Sequence, residues 1–467
     1  MSYSKFREKW FPRPDPRTPV TPEAIEHIED GVKRAHDAID ALGDIGDNLA
    51  NLVTKEEANA TYATTAVAEE VALRTNGRVI PDLINSWWTW PRAWYDDVGQ
   101  RIHCSGVGRS GIQKVGTYHL RSGKTDEVVT NVVNRLPDDH NPPAFWLGEK
   151  RRPITVSNGH DQDTLIRIRR GFQDGDLKSL GPEFTFDIKT VVPDATGVSY
   201  EQIIDRPGSM TERAIMCRVS SPTAIGWYVV RSSDDGVVFA SAFRLHGKSY
   251  QAVRRVGDLL HVWVSDNPQN NVGLYAFSIN LRTGRIYNHA NTEIAADFWT
   301  TNATITASAM TFITSRTQPK SLRLFDISQD GKSALVGEFD AGQLNSMQYA
   351  KLSRPASSAV LDPIIGAGVP FGYNASFYTG GMCFGGTDSV IYLVRENQGV
   401  WTLERWTYDT AWKLDRVLYT APPGAKLGRP QVPYLGESTG WVLVGVYYHY
   451  AADGYADYYA DQLLIKE

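Results

Sequence analysis

Residues 273–288 read GLYAFSINLRTGRIYN, residues 321–339 read SLRLFDISQDGKSALVGEF, and residues 390–406 read VIYLVRENQGVWTLERW. Each is an apolar run, a tight polar turn containing Gly, and a second apolar run, which is the grammar of a β-hairpin. The hairpins recur at intervals of about 50 residues, the length of one four-stranded propeller blade. On either side of them, short runs rich in Val, Ile, Tyr and Trp alternate with Gly, Asp or Asn turns from about Ser86 onward, and GWVLVGVYYHY at 440–450 belongs to the same pattern. The expected fold is mostly β: a seven-bladed β-propeller head over residues 81–467. A series of β-sandwiches or a right-handed β-helix is the rival, but the interval is long for a β-helix rung.

Residues 1–80 read differently. In VTPEAIEHIEDGVKRAHDAIDAL (20–42), Thr21 and Pro22 form an N-cap and first-turn pair, with Glu in the early positions that the helix dipole favours. Ile25, Ile28, Val32, Ala35, Ile39 and Leu42 alternate spacings of three and four, the seam of a coiled coil. Gly43 and Gly46 interrupt the seam, and the capping box Thr54-Lys55-Glu56-Glu57 starts a second short helix through about Leu73. The expectation is a short N-terminal α-helical, coiled-coil-like stalk that oligomerises; an amphipathic helix lying on the head is the alternative. Asn76-Gly77 reads as the turn into the head.

Composition narrows the function classes. The formal charge is −5, with 12 acids and 5 bases in residues 18–80 against 39 and 38 in residues 81–467. The head therefore carries no basic stripe, and no nucleic-acid partner is expected. No run approaches the roughly 18 apolar residues of a membrane helix, so no membrane insertion is expected. MSYSKFREKWFPRP is not followed by an apolar h-region, so secretory export is not expected either. Cys104, Cys217 and Cys383 are far apart and belong to no C-x-x-C pair, which reads as three buried apolar residues.

The stretch LPDDHNPPAFWLGEKRRPITVSNGHDQDTLIRI (136–168) carries the chemistry. His140 and His160 each follow polar turn residues, at the ends of two expected neighbouring strands, 144–147 and 153–156, where a propeller gathers ligand groups. Asp138, Asp139 and Asp161 either orient the imidazoles or cap turns. The aromatic group Trp87, Trp88, Trp90 and Trp94 is read chiefly as packing, with sugar stacking as the alternative. No cofactor motif is present, and no metal ligand set can be named.

Two resemblances add to this reading. PEAIEHIEDGVKRAHDAI (22–39) and TKEEANATYATTAVAEE (54–70) resemble N-terminal segments of tailed-phage fibre and baseplate proteins. That implies a phage tail fibre or receptor-binding virion protein made in the host cytoplasm, a homotrimer joined to other phage tail proteins and adsorbing to a host cell-surface polysaccharide. Ser232 to Phe239, SSDDGVVF, resembles the S-x-D-x-G-x-x-W Asp box of sialidase-type propellers with Phe in place of Trp, a motif that shapes a hairpin and carries no chemistry.

The head resembles the seven-bladed propellers of ulvan lyases and their neuraminidase-like repeat relatives. The likeness runs in order through WTWPRAWYDD (88–97), DDHN (138–141), His160, Ser199-Tyr200, Met216-Cys217-Arg218, Lys248-Ser249-Tyr250, HVWVSDNP (261–268), RPQVPYLG (429–436) and YADYYADQLL (455–464). Lyases of this kind cleave uronate polysaccharides by β-elimination, which needs a base for the C5 proton, a partner for the charge building on the carboxylate and an acid for the leaving oxygen. The resemblance makes His140 and Tyr200 the acid/base pair, Arg218 and His160 the carboxylate-neutralising groups, and Tyr250 and Asn141 substrate-binding groups. Tyr200-Glu201-Gln202 lacks the family's following Pro, and Met216-Cys217 replaces the aromatic before Arg218. A non-catalytic adhesin with a degenerate lyase fold, or a purely structural tail-tip subunit, remains the alternative.

Overall fold

The computed structural model describes Lys33 and residues 78–85, 89–130, 140, 142–148, 151–223, 225–234, 238–239, 241–267, 272–302, 304–316, 320–340, 347–353, 361–363, 380–450 and 458–467. The chain divides into two units, Met1–Glu69 and Glu70–Glu467. Apart from Lys33, the expected stalk helices lie outside the described residues, and every described strand belongs to the second unit.

The described strands form seven antiparallel sheets. In chain order, leaving aside Arg78–Ile80, which joins sheet 7, their first strands are Ala93–Asp96 (sheet 1), Ala144–Trp146 (sheet 2), Gly197–Asp205 (sheet 3), Tyr250–Val256 (sheet 4), Lys320–Ile327 (sheet 5), Gly381–Phe384 (sheet 6) and Lys426–Gln431 (sheet 7). In sheets 1, 2, 3, 5 and 6, each later strand pairs with the one before it. All three hairpins read from the sequence form, within sheets 4, 5 and 6.

Burial falls from the first strand to the last, which identifies the fold as a β-propeller. Gly197–Asp205 and Gly381–Phe384 are buried at every position, whereas Trp412–Thr420, the last strand of sheet 6, is mostly exposed. A strand covered on both faces needs apolar or hydrogen-bonded side chains throughout, as GMCF supplies; an outer strand can carry Lys413, Asp415 and Arg416. Adjacent sheets share continuous cores. Val156 and Ile166 of sheet 2 pack with Val198, Ile203 and Val230 of sheet 3, and Ile204, Met216 and Val229 of sheet 3 pack with Val253, Leu260 and Val262 of sheet 4. Each such side chain contributes roughly 1.5–3 kcal/mol by leaving water.

Six sheets have the four-stranded form of a blade, one fewer than the seven expected; sheet 4 has six strands. Its Val272–Asn280 strand pairs with Ile286–Tyr287 near one end and with Thr311–Arg316 near the other, so two segments share the outer position. Sheet 7 is assembled from both ends of the unit. Arg78–Ile80 pairs with Tyr458–Lys466, register Arg78 to Leu464, beside Trp441–Tyr450 and Lys426–Gln431. The earliest described strand thus lies just before the expected start of the head at residue 81.

Cys104, Cys217 and Cys383 are buried free thiols, and burial pushes the Cys104 thiol up to about 12. Trp90 and Trp94 pack in the interior against Trp146 and Tyr434, with ring centroids 4.7–5.6 Å apart; Trp87 and Trp88 lie outside the described residues. No described helix is long and apolar enough to cross a membrane.

Candidate functional site

Five of the six site residues expected from sequence come together, from three neighbouring sheets. His140 lies in the turn before Ala144–Trp146, and His160 in the turn between Ile154–Ser157 and Leu165–Gly171, both in sheet 2. Tyr200 is on the first strand of sheet 3, Arg218 on that sheet's second strand, Arg213–Ser220, and Tyr250 opens the first strand of sheet 4. Asn141, Asp138 and Asp139 lie outside the described residues.

The two imidazoles stack face to face, centroids 4.6 Å apart and planes 6° from parallel. His160 Nε2 lies 3.2 Å from the Tyr200 hydroxyl. The Tyr200 and Tyr250 rings are 6.0 Å apart, and the Arg218 guanidinium sits 4.5 Å from the first ring and 5.5 Å from the second. His140 and Tyr200 are buried, while His160 and Tyr250 remain partly exposed, so solvent reaches the cluster from their side.

A local departure from sheet geometry aims these groups. The pairing of Gly197–Asp205 with Arg213–Ser220 shifts register between Ser199 and Gln202, a bulge that contains Tyr200 and Glu201. Tyr200 has φ +59°, and His160 and Asp161 have φ +43° and +62°. Non-glycine residues in this region cost about 1–3 kcal/mol each in strained cases and gather where function re-aims a side chain. Trp90 holds the bulge: its N–H donates to Glu201 O and its carbonyl accepts from Ile203 N–H, both at 3.1 Å. Asp161 N–H donates to Val198 O, and Val198 N–H to Asp163 O, tying the sheet 2 turn to sheet 3. Gly197 permits that approach, because a Cβ there would lie 2.4 Å from Asp161 Cα.

Asp161 is the electrostatic partner of the cluster. It accepts from Arg218 Nη2 at 2.7 Å and from the Ser220 hydroxyl at 2.7 Å, while Arg218 Nη2 also donates to Ser199 Oγ at 3.2 Å. Burial alone would raise Asp161, but Arg218, Ser220 and His160 outweigh it and hold the carboxyl below its usual range. Burial alone would likewise lower Arg218; Tyr200, Asp161 and Tyr250 outweigh it and hold the guanidinium above its usual value. To the two roles read for Asp161 from sequence, orienting and capping, the geometry adds a third: it anchors Arg218. Ser220 and Asn158, whose Oδ1 accepts from His160 N–H at 2.9 Å, were not singled out from sequence, and Ser199 was read only as part of the Ser199-Tyr200 likeness, with no role. Single polar residues in strands carry no motif, and only the fold brings them here.

The Asp-box turn forms in part: Asp234 accepts from Ser232 Oγ at 2.7 Å and from Val238 N–H at 2.9 Å. Ser328 and Asp330 make the same bond at 2.7 Å in sheet 5. Among the described residues no group of three or more His, Cys, Asp or Glu could hold a metal ion.

These features define a β-propeller with a polar cluster of His, Tyr and Arg at the junction of three sheets. The sequence matches no protein-family model and no curated protein. Among solved structures, the chain is similar to a PL25 ulvan lyase bound to -[GlcA(1-4)Rha3S]-, with TM-score 0.61 and 12% identity over 84% of this chain and 94% of that one. A second structure of a PL25 ulvan lyase aligns with TM-score 0.57 and 12% identity over 83% and 94% of the two chains. At this identity the likeness establishes the fold.

Proposed function

We propose that this chain engages a uronate-bearing polysaccharide at the His140, His160, Tyr200, Arg218 and Tyr250 cluster and cleaves it by β-elimination. The observation that carries this reading is the convergence of those five side chains from three sheets. In the reaction a base takes the C5 proton, the freed electron pair forms the C4–C5 double bond, and the C4–O bond breaks. The leaving oxygen then takes a proton from an acid. The guanidinium beside the Tyr200 ring stabilises a phenolate, which favours Tyr200 as base, and His160 Nε2 is within reach to carry its proton away. His140 is then the acid. Arg218, with His160, is the partner for the charge that builds on the substrate carboxylate. The similar lyase, bound to a glucuronate-containing glycan, suggests the sugar class. In this reading sheet 4, with its divided outer strand, serves as the seventh blade.

A second reading is a phage tail fibre or receptor-binding protein that adsorbs to a host polysaccharide without cutting it. The Arg218–Asp161 ion pair favours it, because the cation is already compensated inside the protein. The two N-terminal segments support the tail attachment and homotrimer of either reading. One experiment separates them: the full chain is incubated with a panel of uronate-bearing and neutral bacterial polysaccharides, and both binding and the ultraviolet absorbance of unsaturated uronate are followed. New absorbance on a uronate glycan supports the lyase; binding without it leaves the adhesin; neither outcome on any glycan sinks both.

A further inference from the structure

Tyr200 and Tyr250 stand on first strands of different sheets, so something must set their separation. Beneath them runs a fully buried chain of hydrogen bonds through residues that no motif singled out. His246, the last residue of Ser241–His246 in sheet 3, has Nε2 2.6 Å from Gln251 Oε1. Gln251, the neighbour of Tyr250, donates from Nε2 to Gln202 Oε1 at 2.6 Å. Gln202, two residues beyond Tyr200, returns a bond from Nε2 to the Gln251 carbonyl at 3.3 Å. All three side chains have 0% exposure.

The direction of every bond is determined by one end. The Lys248 backbone N–H can only donate, and it points at His246 Nδ1 at 3.2 Å. Nδ1 is therefore the bare nitrogen, and Nε2 carries the hydrogen and donates to Gln251 Oε1. The Gln251 NH2 must then face Gln202 Oε1, and the Gln202 NH2 the carbonyl. Flipping either amide would set donor against donor or acceptor against acceptor in the interior, where an unmatched polar group costs about 1–3 kcal/mol. A buried chain with one consistent polarity specifies one spacing of the strands it joins.

We infer that Gln202, Gln251 and His246 form a positioning chain that fixes the Tyr200–Tyr250 spacing across the junction of sheets 3 and 4, and with it the seat of the Arg218 guanidinium against both rings. Its catalytic consequence rests on the proposed lyase reading; its structural content does not.

The test uses the full chain labelled with fluorotyrosine, without ligand, the Tyr200 and Tyr250 fluorine resonances being assigned by Tyr200→Phe and Tyr250→Phe. Gln251→Leu should move both resonances. Gln202→Met, which breaks the same link from the other strand, should reproduce the shift and carries the test if Gln251→Leu does not fold. His246→Leu should act likewise, and His246→Gln, which can still donate to Gln251, should restore the wild-type positions. Resonances unmoved in every folded variant overturn the inference, whatever the protein does to glycans. With a glucuronate polysaccharide as probe, Gln251→Leu should lower kcat about tenfold to 100-fold and also raise KM, since it displaces Tyr200 together with Tyr250 and Arg218, which hold the substrate in the ground state as well. Moved resonances in a wild type that cuts no glycan leave the positioning chain standing and sink the lyase reading. A kcat equal to wild type in a variant whose resonances have moved overturns the catalytic half of the inference.

Discussion

Tyr200 combines a left-handed backbone, burial, a hydroxyl 3.2 Å from His160 and a guanidinium over its ring, so its replacement would disturb chemistry and packing together. His140 and Arg218 separate the roles more cleanly. His140→Ala should lower turnover by about 10² to 10⁴, the worth of a general acid or base, while adsorption changes far less. If His140→Ala keeps full turnover, the site assignment is wrong. Arg218 differs because it acts on the ground state and the transition state together: Arg218→Ala should weaken glycan binding as well as kcat. Arg218→Lys should not rescue either, because an ammonium cannot serve Asp161 and Ser199 while stacking on two rings. Acid should act elsewhere. Burial pushes the His246 imidazole from 6.5 down to about 4 and that of His103 to about 3. The unfolded chain then binds these protons first, so stability is full above about 6.5 and falls as pH drops toward 4 and below. His246 alone accounts for about 3 kcal/mol of that loss, which urea unfolding of wild type and His246→Gln at about pH 7 and about pH 4 would measure.

Among the elements, the bulge in Gly197–Asp205 and the turn carrying His160 form one joint. Gly197→Ala would drive a methyl into the Asp161 backbone, displacing the carboxylate that holds Arg218. The expected cost is about 1–3 kcal/mol of stability, and glycan binding should weaken with it; a variant with unchanged melting and binding would show that this close approach does not matter. Position within a sheet sets a second contrast. Val230, fully buried in the third strand of sheet 3, should cost about 2–4 kcal/mol when cut to Ala. Val417, 48% exposed on the outer strand of sheet 6, should cost under about 0.5 kcal/mol when changed to Thr. Denaturant midpoints for the two variants measure that gradient directly.

Across the head as a unit, closure of sheet 7 makes its two ends depend on each other. Removing residues after 428 deletes Trp441–Tyr450 and Tyr458–Lys466, exposes the cores they share with sheets 6 and 1, and orphans Arg78–Ile80. The expected outcome is loss of the cooperative transition of the entire head, read by calorimetry; a truncated head that still melts sharply would mean separable β units. A chain beginning near Asn76 keeps Arg78–Ile80 and should melt as one unit. The Ile25 to Leu42 seam is expected to oligomerise, so light scattering should give a multimer, three chains by expectation, for the full chain and a monomer for the shortened one. A monomeric full chain removes the stalk hypothesis and, with it, the multivalent adsorption that a trimer would supply.

Hairpins such as 390–406 were legible because strand alternation and glycine turns are local properties, and the β-propeller followed from their recurrence. His140 and His160 were legible for a related reason, each being a histidine beside a polar turn in one short stretch. The divided outer position of sheet 4 was not: the 273–288 hairpin was legible, but Thr311–Arg316 finds its place only by pairing with the other end of Val272–Asn280. Local sequence is thus enough to make the head β, to set where its turns fall, and to mark the two histidines, whereas Tyr200, Arg218 and Tyr250 entered only through the family resemblance. Packing in three dimensions was needed to stack the imidazoles, to let Asp161 hold Arg218 across 57 residues of chain, and to join Gln251 to Gln202 beneath the two tyrosines. Those contacts cross between sheets or strands, and their partners are chosen by blade packing and by a bulge whose backbone is held by Trp90, neither of which leaves a periodic mark on the residues involved.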